Sequence, residues 1–164
     1  MGIEIERKFL VNGDEWRQLG EGILYRQGYL NTDKGRTVRV RTIQERAYLT
    51  IKGPTINASR AEYEYEIPIE DALEMLSSLC ISPVIEKKRH TIQYMGHAWE
   101  VDEFQGENEG LIFAEIELTD RDEQFAIPPW IGREVTHDPR FYNSALSRNP
   151  YSKWKESLSM TENP

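Results

Sequence analysis

Apolar and charged side chains alternate with a period of two along most of this chain, the spacing of a β-strand with one apolar and one polar face. Segments 3–11, 24–31, 36–43, 47–53, 60–68, 84–94, 97–104 and 110–119 read as strands. Turn residues separate them: Asn31-Thr32-Asp33-Lys34-Gly35, Gly53-Pro54, Met95-Gly96 and the acidic stretch Gly106 to Gly110. Connections this short imply antiparallel pairing. Helical spacing is rarer. Ala72, Leu73, Leu76, Leu79 and Cys80 form an apolar stripe over 70–80, opened by acids and followed by Pro83. Shorter helices are expected over 14–19, 125–131 (interrupted by Pro128-Pro129) and 140–148.

The polar faces of these strands are unusual. Glu4, Glu6 and Lys8 share a face of the first strand; Arg39 and Arg41 of the third; Lys52 lies on the fourth. Arg60, Glu62, Glu64 and Glu66 share a face of the fifth, Lys87 and Arg89 of the sixth, Glu100 and Asp102 of the seventh, Glu115 and Glu117 of the eighth. A solvated sheet face is the simpler reading of any one strand. Together they are sorted by sign: acids on strands one, five, seven and eight, bases on three, four and six. Like charges two residues apart need compensation from cross-strand ion pairs or bound ions. Carboxylate clusters suit hard cations such as Mg²⁺ or Mn²⁺, and Arg and Lys clusters suit phosphate oxygens.

Eight antiparallel strands are enough to close a barrel. With the charged face inward, it becomes a polar tunnel whose apolar outside must be covered, by helix 70–80 and by the C-terminal segments rich in Trp and Phe. The expected fold is therefore mainly β (α+β), a closed eight-stranded antiparallel β-barrel with helices packed outside. The 164 residues form one domain, expected over 1–156 with a frayed tail at 157–164.

Composition narrows the partners. The chain is 38% hydrophobic and 29% charged, as in a globular protein, with a net charge of -8. Such a surface repels nucleic acid and anionic membranes, and no apolar run reaches membrane-spanning length. No apolar signal segment opens the sequence. A single cysteine, Cys80, excludes an internal disulfide framework, fits a reducing cytoplasm and reads as a buried structural thiol. His90, His97 and His137 lack ligand spacing and read as surface or structural residues, and the four tryptophans as packing residues. No P-loop, nucleophile elbow or dinucleotide fingerprint occurs.

The opening Glu4-x-Glu6-x-Lys8 resembles the signature of the CYTH superfamily, the triphosphate tunnel metalloenzymes. The resemblance continues in order through Val38-Arg39-Val40-Arg41, Ile51-Lys52-Gly53, Arg60-Ala61-Glu62-Tyr63-Glu64, Glu86-Lys87-Lys88-Arg89, Glu100-Val101-Asp102, Glu115-Ile116-Glu117 and Trp130-Ile131-Gly132-Arg133-Glu134-Val135-Thr136. It covers about residues 1–146, and it is closest to the small bacterial group. Where that family has Thr and an aromatic in the sixth strand, this chain has Lys88 and His90, both on the face opposite Lys87 and Arg89.

The resemblance implies a tunnel that binds a triphosphate and a divalent metal and cleaves a phosphoanhydride. Lys8, Arg39, Arg41, Lys52, Lys87 and Arg89 would hold phosphate oxygens. Glu4, Glu6, Glu115 and Glu117 would hold Mg²⁺ or Mn²⁺, with Glu62, Glu64 and Asp102 joining directly or through water. Glu4 is a candidate to position the attacking water. Lys52 and Tyr29 form a candidate acid–base pair, with neighbouring cations lowering the lysine pKa. Inorganic tripolyphosphate is the expected substrate, because little is inserted between the strands. A class IV adenylate cyclase, a nucleoside or thiamine triphosphatase, and a polyphosphate-binding module without turnover are the alternatives. A homodimer is allowed but not required.

Overall fold

The computed structural model describes residues 2–31, 33 and 35–157. Of the expected tail, 158–164 lie outside the described residues. The described residues form nine antiparallel strands: β1 (Gly2–Val11), β2 (Gly22–Asn31), β3 (Thr37–Ile43), β4 (Arg46–Lys52), β5 (Ser59–Ile67), β6 (Ile85–Tyr94), β7 (His97–Phe104), β8 (Ile112–Glu117) and β9 (Ile131–Glu134). Their order is β5-β4-β3-β2-β6-β7-β8-β1-β9, and a further pairing of β5 with β1 closes the first eight into a barrel. The long strand β1 spans the seam. Its Glu6–Leu10 half pairs with β8, while its other edge is shared between β5, along Gly2–Ile5, and β9, from Phe9 to Val11.

Because the charged faces point inward, the core lies outside the barrel, as the alternation predicts. One cluster covers β1, β6, β7 and β8 with Phe9, Ile92, Trp99, Val101, Ala114 and Ile116, sealed by Trp16 and Trp130 from the connecting segments. Burying a large apolar side chain stabilises by roughly 1.5–3 kcal/mol. A second cluster covers β3 and β4 with α1 (Ile69–Ser78), which buries Ala72 and Leu76 against Val40 and Ala47. Gly28 makes that approach possible: a Cβ there would stand 2.8 Å from Cys80 Cβ. Cys80 is half-buried at this contact, and burial pushes its thiol pKa up. A third cluster, with Tyr29, Ile85, Phe104, Phe113, Phe141, Leu146 and Trp154, closes one end of the barrel.

Four expectations need correction. Residues 125–131 form no helix; the segment is irregular as far as Pro128, and a turn at Pro129-Trp130, closed by the Ile131 amide on the Pro128 carbonyl at 3.1 Å, leads into β9, which pairs with β1 alone among the described residues. The expected helix 140–148 is a 3-10 turn at Pro139–Phe141 followed by one turn of α-helix, α2 (Asn143–Leu146), and 14–19 is a 3-10 turn at Glu15–Gln18. Nor is the apolar exterior covered everywhere. Ile3, Ile51, Tyr63 and Tyr65 on the outer faces of β1, β4 and β5 remain exposed.

Candidate active site

Barrel order places the charge-bearing strands next to strands of like sign. The bases of β4, β3 and β6 fall on one wall, with β2 between β3 and β6; the acids of β7, β8, β1 and β5 form the facing wall. Between the walls lies a cavity of about 330 Å³, lined by Glu4, Glu6, Lys8, Arg39, Arg41, Lys52, Glu62, Glu64, Arg89, Glu100, Glu115 and Glu117, with Tyr25, Tyr29, Thr136, Tyr142 and Asn143 among its uncharged residues.

Most of the bases are held by carboxylates. Arg89 donates through Nε and Nη2 to the two oxygens of Asp102 (2.7 and 2.8 Å), its partner directly across the β6–β7 ladder. Its Nη2 also reaches Glu115 at 3.2 Å and its Nη1 Glu100 at 3.3 Å. Burial opposes its charge, yet Asp102 dominates and holds the guanidinium pKa well above its ordinary value. Lys52 Nζ donates to both oxygens of Glu4 (2.9 and 3.2 Å) and lies 3.4 Å from Glu62. Arg39 Nη2 donates to Thr50 Oγ1 at 3.1 Å, with Glu64 at 3.6 Å. Lys8 Nζ donates to the Phe141 carbonyl at 2.7 Å and stands 4.0 Å from Glu115. Arg41 differs. Its Nε donates to Gln27 Oε1 at 3.0 Å, and burial, then Arg39 and Arg89, lower its pKa to about 10.

The acidic wall is crowded. Glu6 stands directly across the ladder from Glu117, and Glu100 from Glu115. Burial and then the carboxylates of Glu115 and Glu4 push the Glu6 pKa well above the usual range. Glu117, Glu62 and Glu100 are also raised, first by burial and then, for Glu117 and Glu62, by Glu4. In Glu4 and Glu115 burial is overcome, by Lys52 in the first and Lys8 in the second, and both are lowered. Among the described residues no three of these groups converge into a ready-made coordination cage. The donor set still fits a hard divalent cation: it is all oxygen, on adjacent strands, and the raised pKa values of Glu6, Glu62 and Glu117 mark a crowding of negative charge that a cation would relieve.

The cavity gathers every predicted site residue except two. Lys87 and Asp102 are fully buried beneath it and paired at 2.7 Å. Burial drives the Lys87 pKa down to about 7 against the pull of Asp102. Tyr29 and Lys52 line the same cavity, but no hydrogen bond joins them among the described residues. Tyr29 accepts from Gln27, and Lys52 meets carboxylates rather than the neighbouring cations expected from sequence. His90 is buried against Trp16 and bonded to the Gly20 carbonyl, and Lys88 is exposed, so both lie outside the cavity as expected.

Sequence reasoning missed Tyr25, Gln27, Thr50 and Asn143. Tyr25 and Gln27 lie in phase with Tyr29 on β2, and that phase was the available signal. Asn143 comes from outside the barrel: its Oδ1 accepts from both Gln27 and Lys87.

Comparison with known proteins agrees with this arrangement. The CYTH domain model matches residues 2–142. An inorganic triphosphatase of Acetivibrio thermocellus is 57% identical over 156 residues, covering 95% of this chain and all of that one. An inorganic triphosphatase of Nitrosomonas europaea is 36% identical over 148 residues, 88% of this chain and 96% of the other. The crystal structure of an inorganic triphosphatase superposes with a TM-score of 0.60 at 33% identity, over 87% of this chain and 96% of that one. The chain belongs to the CYTH domain family.

Proposed function

We propose that this protein is a hydrolase that cleaves inorganic tripolyphosphate to pyrophosphate and phosphate with the help of Mg²⁺ or Mn²⁺. The observation that carries this reading is the facing of a basic and an acidic wall across one cavity. A pure anion binder would need the first wall and be opposed by the second. The relatives named inorganic triphosphatase support the substrate.

Arg39, Arg41 and Arg89 would orient phosphate oxygens through their planar forks, with Lys8 and Lys52 as point charges. Asp102 and Lys87, beneath the cavity, would act through Arg89, whose guanidinium Asp102 holds in a bidentate pair. Glu4, Glu6, Glu62, Glu115 and Glu117 would hold the cation, with Glu64 at the rim. A cation bound there would neutralise charge developing on the phosphate oxygens. Glu4, kept ionised by Lys52, would orient the attacking water and accept its proton. Tyr29 would contact substrate rather than act as the partner of Lys52. The lone cysteine fits a reducing compartment such as the cytoplasm.

A substrate panel with and without EDTA tests the reading. Tripolyphosphate should show a higher kcat/KM than ATP, thiamine triphosphate or pyrophosphate, and cyclic AMP should not accumulate. Chelation should abolish turnover, Mg²⁺ or Mn²⁺ should restore it, and excess Ca²⁺ should inhibit through its larger, looser coordination. Full activity after rigorous chelation would remove the metal from the mechanism. Conversion of ATP to cyclic AMP at a rival rate would install the cyclase reading instead.

A further inference from the structure

Strand β2 carries no charge into the cavity, yet it lies between the two strands that carry four of the bases. Its inward residues are Tyr25, Gln27 and Tyr29. Gln27 is fully buried and stands directly across the β2–β3 ladder from Arg41. Its Oε1 accepts from Arg41 Nε at 3.0 Å, while its Nε2 donates to Tyr29 Oη and to Asn143 Oδ1, both at 3.2 Å. With both ends of the amide engaged, its orientation is fixed. The Tyr25 ring lies under two guanidiniums, with Arg41 Cζ 5.1 Å and Arg89 Cζ 4.9 Å from its centroid.

Lys8, Arg39, Lys52, Lys87 and Arg89 each have a carboxylate within 4.0 Å. Arg41 lines the cavity with none at ion-pair distance among the described residues; a neutral amide and an aromatic face hold it instead. An arriving phosphate must compete with carboxylates for these five bases. At Arg41 it competes with nothing, and Nη1 and Nη2 are free of hydrogen bonds among the described residues. A neutral partner orients a cation without consuming its charge, so the ordering is complete before the ligand binds.

We propose that Gln27 and Tyr25 are positioning residues that hold the Arg41 guanidinium uncompensated and correctly oriented for a phosphate group of the substrate. This rests on the reading of the cavity as a triphosphate site.

The test is tripolyphosphate binding, by calorimetry in EDTA and again with Mg²⁺, to variants of this 164-residue chain. Gln27→Glu is nearly isosteric and keeps the acceptor for Arg41 Nε but adds a charge that competes with phosphate. It should weaken binding by about tenfold or more, and by more than Gln27→Met, which removes the acceptor. Tyr25→Leu should weaken binding several-fold, and Tyr25→Phe, which keeps the ring, should restore most of it. In an Arg41→Ala background the Gln27 substitutions should cause no further loss, which a general disturbance of the cavity would not reproduce. The proposal is overturned if Gln27→Glu binds like wild type, or if its loss is undiminished without Arg41. Should Gln27→Glu not fold, Gln27→Met carries the same cycle, and wild-type binding by it is equally fatal. If wild type itself fails to bind tripolyphosphate with and without Mg²⁺, the reading of the cavity fails, and the roles of Gln27 and Tyr25 fall with it.

Discussion

Glu6 concentrates the conflict in the acidic wall. Its pKa in the folded protein lies above that of an unfolded carboxylate, so the folded state binds its proton more tightly. The stability linked to this group is therefore greatest at acid pH and falls as pH rises through the window between the ordinary and the raised value. Glu6→Gln removes that penalty. Its melting temperature should exceed wild type near pH 8, with the difference closing near pH 4. The same variant, like Glu117→Gln, should need more Mg²⁺ for half-maximal activity. On the basic wall, Arg39→Ala and Arg89→Ala should lower kcat/KM by roughly 10²-fold, the size expected when a desolvated charge contact to the transition state is lost. Lys88→Ala, one residue out of phase on the exposed side of β6, should match wild type. A comparable loss there would mean that the inward and outward faces of β6 are misassigned.

The packing of Leu76 on α1, and of Cys80 just beyond it, against β2 depends on the missing side chain at Gly28. Gly28→Ala places a Cβ 2.8 Å from Cys80 Cβ and 2.9 Å from Sγ, and the first is not a flexible tip that can swing aside. A denaturant titration should show a loss of about 1–3 kcal/mol. Activity of the molecules that remain folded should be preserved, because Gly28 faces away from the cavity. Seven of the eight barrel strands were legible in the sequence because a charged inner face and an apolar outer face give them a period of two. β9 was not: its four residues follow Pro128-Pro129 and Trp130, which read as a broken amphipathic helix, and its pairing is decided by the free edge of β1. The inner face of β2 was only partly legible. Tyr29 was singled out, but Tyr25 and Gln27 act through neighbouring guanidiniums, and neutral residues give no sign pattern to sort. The depth of Lys87 and Asp102 was invisible for a related reason: alternation tells in from out, not how far below the cavity surface a side chain stops.

Barrel closure joins segments far apart in the chain. The amide of Lys8 bonds to Thr136, 128 residues away, and Glu6 and Lys8 face Glu117 and Glu115 across the same ladder. Mg²⁺ alone should raise the melting temperature of the whole protein, since a ligand that neutralises the acidic wall binds only once those strands have met. The rise should shrink in Glu6→Gln. The seam also sets a timetable during synthesis. Glu4 and Glu6 leave the ribosome about 110 residues ahead of Glu115 and Glu117, and β9 follows later still. At about 5–20 residues per second the first strand waits on the order of 5–20 s for its partner, with one edge open to other nascent chains. Stalled chains that end before Ile112 should therefore be cut readily by protease within β1, and release of a chain that includes β8 and β9 should make the same bonds resistant.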